Sequence, residues 1–121
     1  MPRRSTVTIY HNPNCNSSSN AVALAEELGS DVRIVNYRSK PPTADELRAI
    51  IAKLDDPPTN LVRRDALFEK LGLSDADVAT VDQIVDVIVN NKMIMQRPLL
   101  VSDQKAIIGR PRERVREFLS L

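Results

Sequence analysis

The chain has one cysteine, Cys15, and one histidine, His11, in 121 residues. A single cysteine excludes an intramolecular disulfide, a Cys-x-x-Cys redox pair and a cysteine-based zinc site within the chain. With only His11 beside it, side chains for a metal site are scarce, and none is expected. An excess of charge of one sign is missing too. Seventeen basic residues stand against sixteen acidic ones, a formal net charge of +1. Bulk electrostatics therefore points to no nucleic acid and no acidic surface as partner. No apolar run is long enough to span a bilayer, so no membrane partner is expected. Met1 to Thr6 contains Arg3 and Arg4 but leads into no signal-peptide core. The chain is expected to be soluble and cytoplasmic. Its length predicts one domain over residues 1–121, with a real hydrophobic core.

What is present has a clear order. Val7 to Tyr10 reads as a short buried strand and Ser17 to Leu28 as a helix stopped by Gly29. Val32 to Tyr37 is rich in β-branched residues and reads as a second strand. This spacing predicts a right-handed βαβ unit with parallel strands. Thr43-Ala-Asp-Glu46 has the form of a capping box and opens a helix to about Leu54. Leu61-Val62 and Ala66 to Leu71 read as short helices, the latter stopped by Gly72. Thr80-Val-Asp-Gln83 is a second capping box. It opens a helix to about Asn90, with Ile84, Val85, Ile88 and Val89 expected inward. Strand character returns at Pro98 to Val101. Ser102 to Gln104 reads as a turn, and Lys105 to Ile108 pairs back as a hairpin. Glu113 to Leu119 is a final amphipathic helix. The order is β-α-β, a helical block over about 43–91, then β-β-α. That is the order of an α/β, thioredoxin-like domain with an inserted helical region.

Cys15 stands where the first strand, a turn and the first helix meet. The first turn of a helix has unpaired N–H groups and a partial positive charge, and both favour thiolate over thiol. The thiolate is the nucleophile. The alternative is a small buried hydrophobe with no chemistry. Asn14, Asn16 and Ser17 to Ser19 around it suit a turn and a helix cap better than a packed core. His11 has two readings as well: it hydrogen-bonds the turn, or it has a functional role beside the thiol.

Twelve of the seventeen basic residues are arginine. For any one of them a solvated face is the ordinary place. Arg97 precedes Pro98 at the entry to the third strand, and Arg110 follows Gly109 at the exit of the fourth. Both flank the hairpin expected beside the cysteine turn. A guanidinium fork suits a tetrahedral oxyanion. Arg63 lies in the helical block, and periodicity alone does not bring it to that place. Pro98 matches the position of a proline that is often cis in thioredoxin-like folds.

Taken together, Ile9-Tyr10-His11-Asn12-Pro13-Asn14-Cys15 resembles the opening of the glutaredoxin-linked arsenate reductase family. So do Tyr37 with Pro41-Pro42, Leu61-Val62-Arg63-Arg64, Glu69 to Leu73, Gln96-Arg97-Pro98 and Ile108-Gly109-Arg110-Pro111. The matches run in order over residues 7–119. The resemblance implies that Cys15 is the nucleophile and that Arg63, Arg97 and Arg110 bind the oxyanion. It implies that His11 helps to favour the thiolate. Cys15 would attack arsenate, glutathione would add as co-substrate, and a glutaredoxin would resolve the adduct with release of arsenite. No bound cofactor is implied. With no second cysteine in the chain, glutathione or another low-molecular-weight thiol is required for turnover.

The chain departs from that family after the cysteine. Asn16-Ser17-Ser18-Ser19 replaces a turn that often ends in arginine, so one cation is missing from the first helical turn. A redox-sensing regulator of the same fold, which binds RNA polymerase, typically uses Cys-x-x-Cys. Serine at position 18 excludes that switch. The remaining alternative is a glutathione-linked thiol enzyme whose substrate is another species, with the arginines holding carboxylates.

Overall fold

The computed structural model describes residues 6–120. Strand β1 (Val7–His11) leads into helix α1 (Asn16–Glu27), which returns to strand β2 (Val32–Asn36). Helices α2 (Ala44–Ala52), α3 (Ala66–Lys70) and α4 (Val81–Asn90) follow. Short 3-10 turns lie at Pro58–Leu61, Asp75–Val78 and Lys92–Ile94. The chain re-enters the sheet as hairpin strands β3 (Leu99–Val101) and β4 (Ala106–Ile108), then ends in α5 (Glu113–Leu119). The sheet order is β2-β1-β3-β4. β1 runs parallel to β2 and antiparallel to β3, which is antiparallel to β4. This is a thioredoxin-like sheet, with α2 to α4 inserted between β2 and β3.

Strands β3 and β4 are apolar on both sides because both sides are covered, whereas edge strand β2 exposes Arg33 and Ile34. Ile9, Leu100 and Ile107 share one face, packed with Ala21 and Ala25 of α1 and Val115 and Phe118 of α5. Tyr10, Leu99 and Ile108 take the other face, packed with the inserted helices through Leu47, Ile50, Ile84 and Ile88. Side-chain alternation along each strand puts successive residues into different cores. Both capping boxes close: Thr43 with Glu46 opens α2, and Thr80 with Gln83 opens α4. No helix among the described residues is long and apolar enough to cross a membrane.

Two expectations need correction. Val62 is not helical. The 3-10 turn ends at Leu61, and Val62 forms an antiparallel bridge with Met95. The Arg63 N–H donates to the Ile94 carbonyl at 2.9 Å, and the Gln96 N–H donates to the Leu61 carbonyl at 2.7 Å. A β-branched residue suits that extended place. Val89 is not inward but 49 % exposed. The buried stripe of α4 is Ile84, Val85 and Ile88. At about 100° per residue, Val89 falls on the flank of that stripe.

Candidate active site

The cysteine turn is built by Asn12, which is only 2 % exposed. Its carbonyl accepts the Cys15 N–H at 3.0 Å. Its side-chain Oδ1 accepts the Asn14 N–H at 3.0 Å, an Asx turn. Its own N–H donates to Ser18 Oγ at 2.9 Å. Cys15 therefore becomes the N-cap of α1, in extended conformation, and its carbonyl takes the Ser19 N–H at 2.9 Å. A serine or aspartate at this place would cap the helix with oxygen. Here no capping bond closes on the side chain, and a half-buried sulfur faces the helix start.

Burial raises the thiol pKa, but four groups oppose it. These are the Ser18 N–H, the Arg110 charge, the Ser17 N–H and the Arg97 side chain, and the net shift is downward. Arg110 Nη2 lies 3.4 Å from Cys15 Sγ. The arrangement favours thiolate.

His11 touches Ser18, with Nδ1 and Oγ 2.6 Å apart. Ser18 is fully buried. Its oxygen also takes the Asn12 N–H, and the imidazole tautomer sets which of Nδ1 and the hydroxyl donates to the other. Burial lowers the His11 pKa and favours the neutral ring. His11 is not among the groups that pull the thiol down. Its place is in the hydrogen-bonded floor of the turn, behind Ser18.

The arginines arrive by longer routes. Arg97 is 9 % exposed. Its Nη1 donates to the Met93 carbonyl at 2.9 Å and to the Met95 carbonyl at 3.2 Å. Its buried Nε–H has no acceptor among the described residues. Arg110 Nε donates to the Arg97 carbonyl at 2.8 Å, which ties the two arginines together. The peptide bonds Arg97–Pro98 and Arg110–Pro111 are both cis; the sequence reading offered only the first.

Two devices hold Arg110. A Cβ on Gly109 would lie 2.7 Å from Pro98 Cγ and 2.8 Å from Val115 Cγ2, so only glycine allows this approach. Asp56 accepts the Ile108 N–H at 3.0 Å and the Arg114 Nη1 at 2.7 Å. Arg114 Nη1 in turn donates to the Ile108 carbonyl at 2.9 Å and the Arg110 carbonyl at 3.4 Å.

Arg63 stands at the margin. Its Nε lies 3.8 Å from Asp65 Oδ2, and it does not act on Cys15 directly. Its charge is felt by Tyr37, as are those of Arg97 and Cys15. Tyr37 is fully buried, and its hydroxyl accepts from Asn12 Nδ2 at 3.4 Å. Neither Asn12 nor Tyr37 was singled out as a site residue from sequence. The signal for Tyr37 was its place just past β2, which pairs in parallel with β1 up to His11 and Asn36. Carboxyl ends of parallel strands are where sites form in α/β folds.

Residues 10–118 match the ArsC family. The chain belongs to the ArsC family. An arsenate reductase of Escherichia coli K12 is 34% identical over 116 residues, 95% of this chain and 82% of that one. The uncharacterised protein YfgD of the same strain is also 34% identical, over 115 residues, 93% of this chain and 96% of that one. A solved structure, an arsenate reductase from Vibrio cholerae, superposes with a TM-score of 0.80 at 28% identity, covering 97% of this chain and 100% of that one. The identity to a named reductase and to an uncharacterised protein is equal, at 34%. Among the described residues no group of three or more histidine, cysteine, aspartate or glutamate side chains could hold a metal ion.

Proposed function

We propose that this ArsC-family chain reduces arsenate to arsenite, with Cys15 as nucleophile and Arg97, Arg110 and Arg63 as oxyanion-binding groups. The observation that carries the reading is the pairing of a thiol that favours thiolate with the Arg110 guanidinium 3.4 Å from its sulfur. A tetrahedral oxyanion on that guanidinium is held beside the sulfur.

The Cys15 thiolate attacks arsenic(V). A sulfur–arsenic bond forms, one arsenic–oxygen bond breaks, and the leaving oxygen departs with protons as water. Glutathione, as co-substrate, displaces a second oxygen in the same way. A thiolate of glutaredoxin then attacks the glutathione sulfur. The disulfide forms between those two sulfurs, and the electron pair of the broken sulfur–arsenic bond stays on arsenic, now arsenic(III). Hydrolysis of the remaining bond frees arsenite and Cys15. An outside thiol is obligatory because Cys15 is the chain's one cysteine.

Arsenite release from arsenate by the purified protein, with glutathione and glutaredoxin, tests this. The expected result is turnover that needs all three. No arsenite, together with reduction of a glutathione mixed disulfide, would replace arsenate by a glutathionylated substrate.

A further inference from the structure

A polar cleft of about 500 Å³ opens beside Arg110, a volume that suits a small solute. Arg64, Arg110 and Arg114 line it, together with Asn60, Gln96 and the carboxylates of Asp56 and Asp75. Backbone carbonyls fix all three guanidinium groups. Arg64 Nη1 donates to the Thr59 and Val62 carbonyls at 2.6 and 2.7 Å. Arg110 Nε donates to the Arg97 carbonyl, and Arg114 Nη1 to the Ile108 carbonyl. A carbonyl fixes a guanidinium without neutralising it. Arg114 bonds through Nη1, and Arg110 through Nε and Nη2. Arg114 Nη2 and Arg110 Nη1 therefore have no acceptor among the described residues. The side chains of Arg64 and Arg114 are 34 % and 28 % exposed, so a solute reaches both.

Preplaced guanidinium forks with spare donors suit carboxylates, and the side-chain amides of Asn60 and Gln96 suit peptide groups. Arg110 belongs to the cleft and to the thiol alike, since its Nη2 lies 3.4 Å from Cys15 Sγ. A solute seated in the cleft against Arg110 has one end beside the nucleophile. We propose that this cleft docks the outside thiol and selects one that bears carboxylates, such as glutathione, with Arg64 and Arg114 holding the carboxylates. The inference rests on the outside-thiol requirement of the reading above and names where that thiol binds. Arg63 and Arg97 do not line the cleft. Oxyanion and thiol thus take different arginines and share Arg110.

Thiol–disulfide exchange without arsenate tests this. The Cys15 thiolate attacks one sulfur of oxidised glutathione, a mixed disulfide forms, and one glutathione thiolate leaves. Bis(2-hydroxyethyl) disulfide exchanges in the same way but carries no carboxylate. Cys15 is the chain's one thiol, so both rates report on it alone. Arg64→Gln is expected to slow the glutathione reaction about tenfold and the hydroxyethyl reaction less than about twofold. Arg48→Gln removes an equal charge outside the cleft, from the pair with Asp82. It is expected to change neither rate by more than about twofold. Equal loss with both reagents, loss with neither, or a loss in Arg48→Gln that matches Arg64→Gln overturns the inference.

A second variant stands if Arg64→Gln fails to fold. Asp75 is exposed and competes for Arg64 at 3.2 Å. Asp75→Asn keeps an oxygen for Arg64 Nε and removes the charge. The glutathione rate is expected to rise about twofold to threefold relative to the hydroxyethyl rate. An unchanged or lower ratio overturns the inference. The exchange contains no oxyanion, so such a result leaves the oxyanion reading standing. Failure of that reading appears instead as no protection of Cys15 from iodoacetamide by inorganic phosphate.

Discussion

The cysteine turn closes within residues 11–19, whereas the arginines beside it come from three segments at 63, 97 and 110. In the turn, one side chain and one backbone do most of the work: Asn12 bonds Cys15, Asn14 and Ser18, all within a few residues. On the arginine side every hold is long-range. The Val62–Met95 bridge sets Arg63 against the segment that enters Arg97. Asp56 and Arg114 fix the strand exit that carries Arg110. The proposed nucleophile is thus made by local chemistry, and the proposed oxyanion field by topology. Each half has its own way to fail, so the two can be broken separately.

The largest effect is expected from the turn. Cys15→Ser keeps the size of the side chain but loses the anion, because a hydroxyl barely ionises near neutral pH. Arsenite formation should fall by more than about a thousandfold. The melting temperature should move little, since no capping bond is lost at this position. Wild-type turnover in the serine variant would remove Cys15 from the mechanism.

Next come the two arginines that favour the thiolate. Arg110→Lys keeps the charge but cannot hold both the Arg97 carbonyl and the sulfur, which Nε and Nη2 do together. Oxyanion protection of Cys15 should weaken at least about tenfold. The thiol pKa should move far less, because the cation remains. Arg97→Lys should lose protection too and also cost stability, since Met93 and Met95 carbonyls lose their donor. Unchanged protection in both variants would refute the arginine half of the site.

A third change reaches the arginine side without touching it. Asp56→Ala leaves the Ile108 N–H without its acceptor and Arg114 without its carboxylate, and Asp56 itself is only 13 % exposed. Loss of one partner from such a partly buried pair is expected to cost about 2–3 kcal/mol, less than the full buried-pair value because Arg114 is 28 % exposed. The strand exit at Arg110 loosens, so oxyanion affinity should fall several-fold while the cysteine turn keeps its hydrogen bonds. Chemical denaturation and phosphate protection, measured on the same sample, separate the two effects. A stability loss with full oxyanion affinity would show that Arg110 is held by Gly109 and Arg97 alone.

The same division explains what could be read in advance. The βαβ unit, both capping boxes and the hairpin are short-range patterns, and each is in the structure. The junction of strand, turn and helix at Cys15 was legible for the same reason. Val62 was read as helical because its surroundings are, but a tertiary bridge to Met95 outweighs local propensity. Val89 is apolar, yet the buried stripe of α4 takes only Ile84, Val85 and Ile88. Asp56 sits in a stretch that reads as a helix stop, and nothing local announces a bond to Arg114. Tyr37 and Asn12 were hidden differently. Each looks ordinary alone, and only the parallel register of β1 and β2 brings them together.

The smallest effect should come from the departure in the first helical turn. Iodoacetamide reacts with the thiolate, so its rate rises as pH rises through the thiol pKa. In wild type the midpoint should lie below the free-cysteine value of about 8.5, because the shift at Cys15 is downward. Ser19→Arg adds a cation to the turn where relatives often have one. Ser19 is exposed, however, and its one side-chain contact is a long 3.5 Å bond to the Pro13 carbonyl. An arginine there is solvated and screened, unlike Arg110 at 3.4 Å from the sulfur. A screened surface charge near a helix end acts with about 0.3–1 kcal/mol at most, so the midpoint should fall by roughly 0.2–0.7 of a pH unit. A fall of a full unit would mean that position 19 faces the sulfur and that the turn is less complete than its hydrogen bonds indicate. No movement at all would assign the thiol's ionisation entirely to the helix N–H groups, Arg97 and Arg110, the last two supplied from the far side of the fold.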